Sequence, residues 1–132
     1  MEHVSINLRE IPGITLAFWG DAVWELFVRE HFIAHKLNIH NLNKETKKLV
    51  NAKRQSKLYK LILDTLPQEY QDIAKRARNA NIHTFPKSCT MQEYREATAF
   101  EAIIALLHIN KEDDKILEIL DIAIQSLENE MA

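Results

Sequence analysis

Two carboxylates interrupt otherwise apolar stretches of this 132-residue chain. Asp21 follows Gly20 inside the apolar run from Ile11 to Phe32, and Glu101 is the only charged residue between Ala97 and Leu107. A buried carboxylate is costly unless its charge is compensated, and a glycine costs a helix about 1 kcal/mol relative to alanine. Positions at which a sequence contradicts its own propensity are often functional. We therefore expect Asp21 and Glu101 to converge across two packed helices.

Convergence of Asp21 and Glu101 would create a site for a divalent cation. Hard oxygen ligands that leave positions open for water suit Mg²⁺, with Mn²⁺ as a substitute. Glu25 lies four residues after Asp21, on the same helix face, and is a candidate for supporting the site. The residue pattern alone leaves a second interpretation open, in which each carboxylate faces solvent or pairs with a basic residue such as Arg95.

Long helices must position these residues, because the chain has only two glycines and three prolines. Apolar residues at helical spacing and candidate caps divide the sequence into five helical segments. We predict helices from about Ile14 to His35, from an N-cap at Asn43 to about Thr65, from Pro67 to between Ala77 and Asn81, from a capping box at Thr90 and Glu93 to near Asn110, and from about Glu112 to Glu130. The predicted fold class is therefore all-α, in one domain covering residues 1–132.

The charge distribution permits a polyanionic partner. Twelve of the 17 lysines and arginines lie between Asn43 and Arg95, whereas the rest of the chain is acidic and the net charge is −2. Solvated helix faces give the same pattern, so charge alone does not identify nucleic acid. The single cysteine excludes an intrachain disulfide, and Met1 to Glu10 lacks an apolar signal core. We expect a cytoplasmic protein with no membrane partner.

Two acidic segments and a basic motif resemble those of one nuclease family. The segment Leu16–Leu26 resembles the signature helix of the ribonuclease III family, whose centre is an apolar residue followed by Gly-Asp-Ala. The segment Thr98–Ile104 resembles the second acidic segment of that family, and Lys75–Ala80 together with Tyr94-Arg95 resembles specifically its Mini-ribonuclease III branch. The resemblance extends from about Leu16 to Ile109. It implies a ribonuclease III-like catalytic helical bundle that forms a homodimer and lacks a separate double-stranded-RNA-binding domain.

The same resemblance implies a Mg²⁺-dependent endoribonuclease that cleaves double-stranded RNA and leaves 5′-phosphate and 3′-hydroxyl ends. Asp21 and Glu101 would be both the catalytic residues and the metal ligands. The larger ribonuclease III pattern has two further carboxylates, where this chain has Ala17 and Thr98. The neutral Thr98 is a candidate for orienting a water at the metal.

The absence of a separate RNA-binding domain requires the catalytic domain to grip RNA itself, through phosphates and 2′-hydroxyls. The candidate RNA-binding residues are Lys53, Arg76, Arg78, Asn79 and Lys87, and Phe18 is the candidate dimer contact. The implied substrate is the precursor of large-subunit (23S) ribosomal RNA, with a ribosomal protein as a helper. The alternatives are a non-catalytic dimeric RNA-binding or ribosome-assembly module with the same fold, and a plain helical interaction protein.

Overall fold

Six α-helices make up most of residues 7–35 and 37–131, which are the residues that the structure, a computed structural model, describes. The helices are α1 (Gly13–Ala34), α2 (Ile39–Leu49), α3 (Ala52–Ile62), α4 (Gln68–Arg78), α5 (Met91–Ile109) and α6 (Asp113–Met131), with a 3₁₀ turn at Leu63–Thr65. No strand occurs within the described residues, so the predicted all-helical fold class is confirmed. None of the described helices is long and apolar enough to cross a membrane.

The predicted second helix is wrong, because two helices replace it. Asn38, rather than Asn43, caps the first of them and accepts a hydrogen bond from the Asn41 backbone N–H at 2.9 Å. The chain breaks at Asn51, whose Oδ1 accepts from the backbone N–H of Arg54 at 2.9 Å. The Asn51 amide nitrogen also donates to the carbonyl oxygen of Lys47 at 2.8 Å. One side chain therefore satisfies backbone groups at the end of α2 and at the start of α3.

The central helix α5 forms the core and packs against α1, α3 and α4. It begins with the predicted capping box between Thr90 and Glu93. Trp24 of α1 and Phe100 of α5 are fully buried, with ring centroids 5.0 Å apart in an edge-to-face arrangement. The Trp24 indole N–H donates to the Leu49 carbonyl oxygen at 3.0 Å, which ties α2 to this centre. The result is a fixed relative position for α1 and α5, the two helices that contain the acidic residues.

Candidate active site

Helices α1 and α5 approach most closely at Gly20. A Cβ atom placed on Gly20 would overlap the backbone carbonyl oxygen of Glu101 and lie 2.6 Å from its carbonyl carbon. It would also lie 3.2 Å from the backbone nitrogen of Ala105. Only glycine permits this backbone contact, which explains why α1 tolerates a poor helix former among apolar residues. The contact places Asp21, the next residue of α1, beside Glu101.

The side chains of Asp21 and Glu101 lie within hydrogen-bonding reach of each other. Asp21 is exposed, whereas Glu101 is half-buried. Burial, and then the hydrogen bond and negative charge of Asp21, raise the pKa of the Glu101 carboxyl well above its usual range. Two adjacent carboxyl groups of this kind are stable when they share a proton or bind a cation. Within the described residues, neither of them forms an ion pair with a basic side chain, so pairing with Arg95 is not observed.

The carboxyl pair opens on a cavity of about 740 Å³. Helices α1, α3 and α5 and the segment between α4 and α5 supply its walls. Its polar lining residues are Asp21, Asn51, Gln55, Asn81, His83, Thr84, Ser88, Tyr94, Thr98 and Glu101. This volume is within the range of ordinary ligand sites, so the cavity can admit part of a nucleic-acid strand.

The donor set of the cavity fits a hard divalent cation. Asp21 and Glu101 offer carboxylate oxygens from two different helices, and such oxygens are the ligands that Mg²⁺ prefers. No group of three or more acidic, histidine or cysteine side chains suited to a metal is found among the described residues. A cation held by Asp21 and Glu101 alone would have most of its coordination positions open.

The two predicted supporting residues differ in position. Thr98 is buried at the cavity wall, and its hydroxyl donates to the Tyr94 carbonyl oxygen at 2.9 Å. Ala17 also lines the cavity, so both positions that hold carboxylates in the larger ribonuclease III pattern face the site with neutral side chains. Glu25 is not part of the cavity lining, and its carboxylate lies 3.5 Å from the Arg29 guanidinium.

The five predicted RNA-binding residues do not form one cluster. Lys53 and Lys87 are exposed and adjoin residues of the cavity wall in the chain. The Arg76 guanidinium donates to the carbonyl oxygens of Arg9 and Ile11, at 2.8 and 2.7 Å, and so holds the segment before α1. Two further members of the set, Arg78 and Asn79, hydrogen-bond to each other at 3.3 Å. Asn79 and Arg76 line a separate hollow beside Gly13.

Gln55 was not predicted as a site residue, but it lines the cavity from α3 and is only 5% exposed. It occupies the buried face of α3 together with Leu58, Tyr59 and Ile62. A polar residue at that helical spacing is the same kind of signal that marked Asp21 and Glu101. The predicted single helix from Asn43 to Thr65 did not identify Gln55 as a residue of the first turn of a helix.

An unpartnered apolar stripe runs along α1 beside the cavity. Phe18 is 82% exposed, and Ile14 and Leu26, one turn before it and two turns after it, are 48% and 54% exposed. Residues at this spacing share one helix face. Phe18 and Ile14 also line the cavity, so the apolar stripe and the acidic site are continuous.

The acidic helix pair and its glycine contact define a class of protein. Residues 14–112 match the model of the ribonuclease III domain, and the chain belongs to the ribonuclease III family of endoribonucleases. The chain is 52% identical over 118 residues to a Mini-ribonuclease 3-like protein of Ilyobacter polytropus, covering 89% of this chain and 93% of that protein. It is 40% identical to Mini-ribonuclease 3 of a Thermoanaerobacter species, covering 89% of this chain and 84% of that protein. The resemblance seen in the sequence is thus confirmed.

A solved structure supports the fold independently. A crystal structure of a Fusobacterium nucleatum protein is similar to this chain with a TM-score of 0.84 and 47% sequence identity. The match covers 92% of this chain and 99% of that one. The overall helical arrangement of this chain is therefore similar to that of a solved structure.

Proposed function

We propose that the chain is a Mg²⁺-dependent endoribonuclease that cleaves double-stranded RNA in the cavity of Asp21 and Glu101. The observation that supports this most directly is the contact between the two carboxyl groups, which the missing side chain of Gly20 makes possible. A helix pair that held its acidic residues apart would be more stable, because the negative charge of Asp21 disfavours the ionised form of the half-buried Glu101. A bound cation would compensate the negative charge of the two adjacent carboxylates.

Each residue of the site has a defined task in this proposal. Asp21 and Glu101 would hold the cation through their carboxylate oxygens. When bound, the cation offsets the charge that develops on the phosphate and lowers the pKa of water. The Thr98 hydroxyl donates a hydrogen bond to the Tyr94 carbonyl oxygen, so its lone pairs are available to orient a water molecule. The products would have 5′-phosphate and 3′-hydroxyl ends.

A duplex is cut on both strands by two such sites in a homodimer. The exposed stripe of Ile14, Phe18 and Leu26 is the surface we propose for the dimer contact, with Phe18 at its centre. A two-fold contact would place the same stripe on both subunits. Lys53 and Lys87 would grip phosphates beside the cavity. The other three predicted residues, Arg76, Arg78 and Asn79, would contact the RNA backbone farther along the duplex.

The cellular role we propose follows the Mini-ribonuclease III resemblance. The substrate would be the precursor of large-subunit ribosomal RNA, cut in the cytoplasm, with a ribosomal protein assisting. Mn²⁺ would replace Mg²⁺ in the reaction, since both accept carboxylate oxygens. The residues 1–132 would act as one catalytic domain.

The proposed activity is tested with purified protein and an end-labelled RNA duplex, with Mg²⁺ and then with EDTA. We expect cleavage only with Mg²⁺. Asp21→Asn and Glu101→Gln keep the side-chain shape and remove the charge. Each should lower the rate by more than the roughly 10- to 100-fold typical of residues that only support a metal ligand. Glu30→Gln, an exposed change on the same helix, is the matched control.

Two outcomes would contradict the proposal in different ways. Wild-type rates in both Asp21→Asn and Glu101→Gln would show that the active site lies elsewhere. Tight RNA binding without cleavage, with Mn²⁺ also tested, would identify a non-catalytic RNA-binding module.

A further inference from the structure

Gln55 is a largely buried residue whose side-chain amide opens on the cavity of Asp21 and Glu101. The residue is 95% buried, yet its side-chain amide makes no hydrogen bond within the described part of the chain. Its neighbours on the same helix face, Leu58 and Ile62, are apolar and fully buried. None of the fully buried side-chain atoms without a partner in the described residues belongs to Gln55, so its amide is accessible from the cavity. Gln55 lines the cavity of Asp21 and Glu101, so a ligand in that cavity can supply the missing partner.

The N-terminus of α3 opens on the same cavity. Asn51 and Ala52, the N-cap and the first residue of α3, line it together with Gln55. The Asn51 side chain satisfies the backbone N–H of Arg54, which leaves the N–H groups of Ala52 and Lys53 without an intrahelical acceptor. The free N–H groups and the helix dipole make such a terminus favourable for an anion.

The positions of the charges decide which part of an RNA strand this wall can bind. Asp21 and Glu101, from α1 and α5, repel a phosphate unless a cation lies between them. The N-terminus of α3 has the opposite polarity, and the exposed ammonium group of Lys53 adds to it. A cavity of about 740 Å³ has room for more than one phosphate of a strand.

We propose that Gln55 and the N-terminus of α3 bind a phosphate of the RNA strand other than the one that is cleaved. This inference rests on the proposed function and adds a positioning site to it. The Gln55 amide nitrogen donates to a phosphate oxygen, and the backbone N–H of Ala52 donates to the same group. The bound phosphate fixes the register of the strand, so that the adjacent linkage reaches the carboxylates.

Two substitutions remove these donors with little change of shape. Gln55→Met keeps the length and volume of the side chain and removes the amide. Ala52→Pro removes the backbone N–H at the first helical position, where proline is favoured. The extended conformation of Asn51, with φ −155° and ψ 156°, is one that a residue before proline adopts. Gln125→Met, an exposed change on α6, is the matched control.

Binding is measured first in the Asp21→Asn background, so that cleavage does not enter. We expect Gln55→Met and Ala52→Pro each to raise the Kd for an RNA duplex about tenfold, the usual effect of losing a hydrogen bond to a charged group. Gln125→Met should leave the Kd unchanged. Thermal melting of each variant shows whether it remains folded.

A set of duplexes with one neutral methylphosphonate linkage each then locates the phosphate. At one position outside the cleaved linkage, the neutral group should raise the Kd of the Asp21→Asn protein about tenfold. In the protein that also has Gln55→Met, the same neutral group should raise the Kd very little, because the donor is already missing. If the effects of the neutral linkage and of Gln55→Met on the Kd multiply in full at every position, the two do not share a contact and the proposal is overturned. An unchanged Kd in both Gln55→Met and Ala52→Pro, each shown to be folded, would also overturn it. If the protein with Asp21 intact cleaves no RNA while Gln55→Met still weakens binding, the nuclease proposal fails and the phosphate site stands.

Discussion

Gly20 is the residue on which the geometry of the acidic pair depends. Helix propensity alone predicts that Gly20→Ala stabilises the protein by about 1 kcal/mol. The contact with the Glu101 carbonyl predicts the opposite sign, because backbone of α5 cannot move aside as a side chain can. We expect Gly20→Ala to lower the free energy of unfolding in urea by about 2 kcal/mol or more, as overpacking does. A stabilised variant would show that the two helices are not in contact at this position.

Single residues were predictable from the sequence when they contradicted their surroundings. Asp21 and Glu101 each stand alone among apolar neighbours, and the structure brings them together. Basic residues carry no such signal, because a surface arginine and an internally bonded one look alike in a sequence. Arg76 holds the carbonyl groups of the segment before α1, and Arg54 is buried beside Glu130. Their partners are distant in the chain, so only the fold reveals them.

At the scale of elements, Asn51 lies at the junction of α2 and α3. Its side chain bonds the end of α2 and the start of α3 at once. We expect Asn51→Ala to destabilise the protein by about 1–2 kcal/mol, as measured by chemical denaturation. Asn43→Ala is the matched control, because Asn43 is exposed inside α2 and alanine is the better helix former there. Equal destabilisation by both changes would contradict the capping role.

The break between α2 and α3 was not predictable, whereas the start of α5 was. Neither glycine nor proline occurs at Val50-Asn51, and the flanking residues are good helix formers. The break is set by tertiary packing, since Leu49 and Leu58 are both fully buried on either side of it. Thr90 and Glu93, in contrast, form a capping box whose two hydrogen bonds lie within four residues. A capping box of two residues can be recognised in the sequence, whereas the single asparagine at Asn51 is not distinguished from Asn43 until the packing of Leu49 and Leu58 is known.

At the scale of the whole molecule, two ion pairs that share Glu130 join the end of α6 to α3. The buried Arg54 guanidinium donates to Glu130 at 3.1 Å, and Lys57 donates to the same carboxylate at 2.8 Å. These two cations lower the pKa of Glu130 to about 2 from the usual 4.5. The contribution of Glu130 to stability is therefore complete above about pH 4.5 and is lost as the pH falls toward 2.

We therefore expect Glu130→Gln to melt at a lower temperature than the wild type at pH 7. Because the wild type loses the two ion pairs in acid, the two melting temperatures should converge between pH 4.5 and about 2. The exposed Glu128→Gln on the same helix serves as the control. A difference in melting temperature that did not change with pH would show that Glu130 acts through packing rather than charge.

The exposed stripe of Ile14, Phe18 and Leu26 is the surface that we propose for a dimer contact. An aspartate in a buried dimer contact leaves an uncompensated charge, so we expect Phe18→Asp to sediment as a monomer at micromolar concentration. Leu26→Asp tests the same contact without touching the cavity wall, since Phe18 lines the cavity and Leu26 does not. Leu61→Asp, at a 55% exposed leucine of α3, should leave the dimer intact. Monomeric wild-type protein would contradict the dimer, whereas a dimer that survives both stripe variants would place the contact on another face.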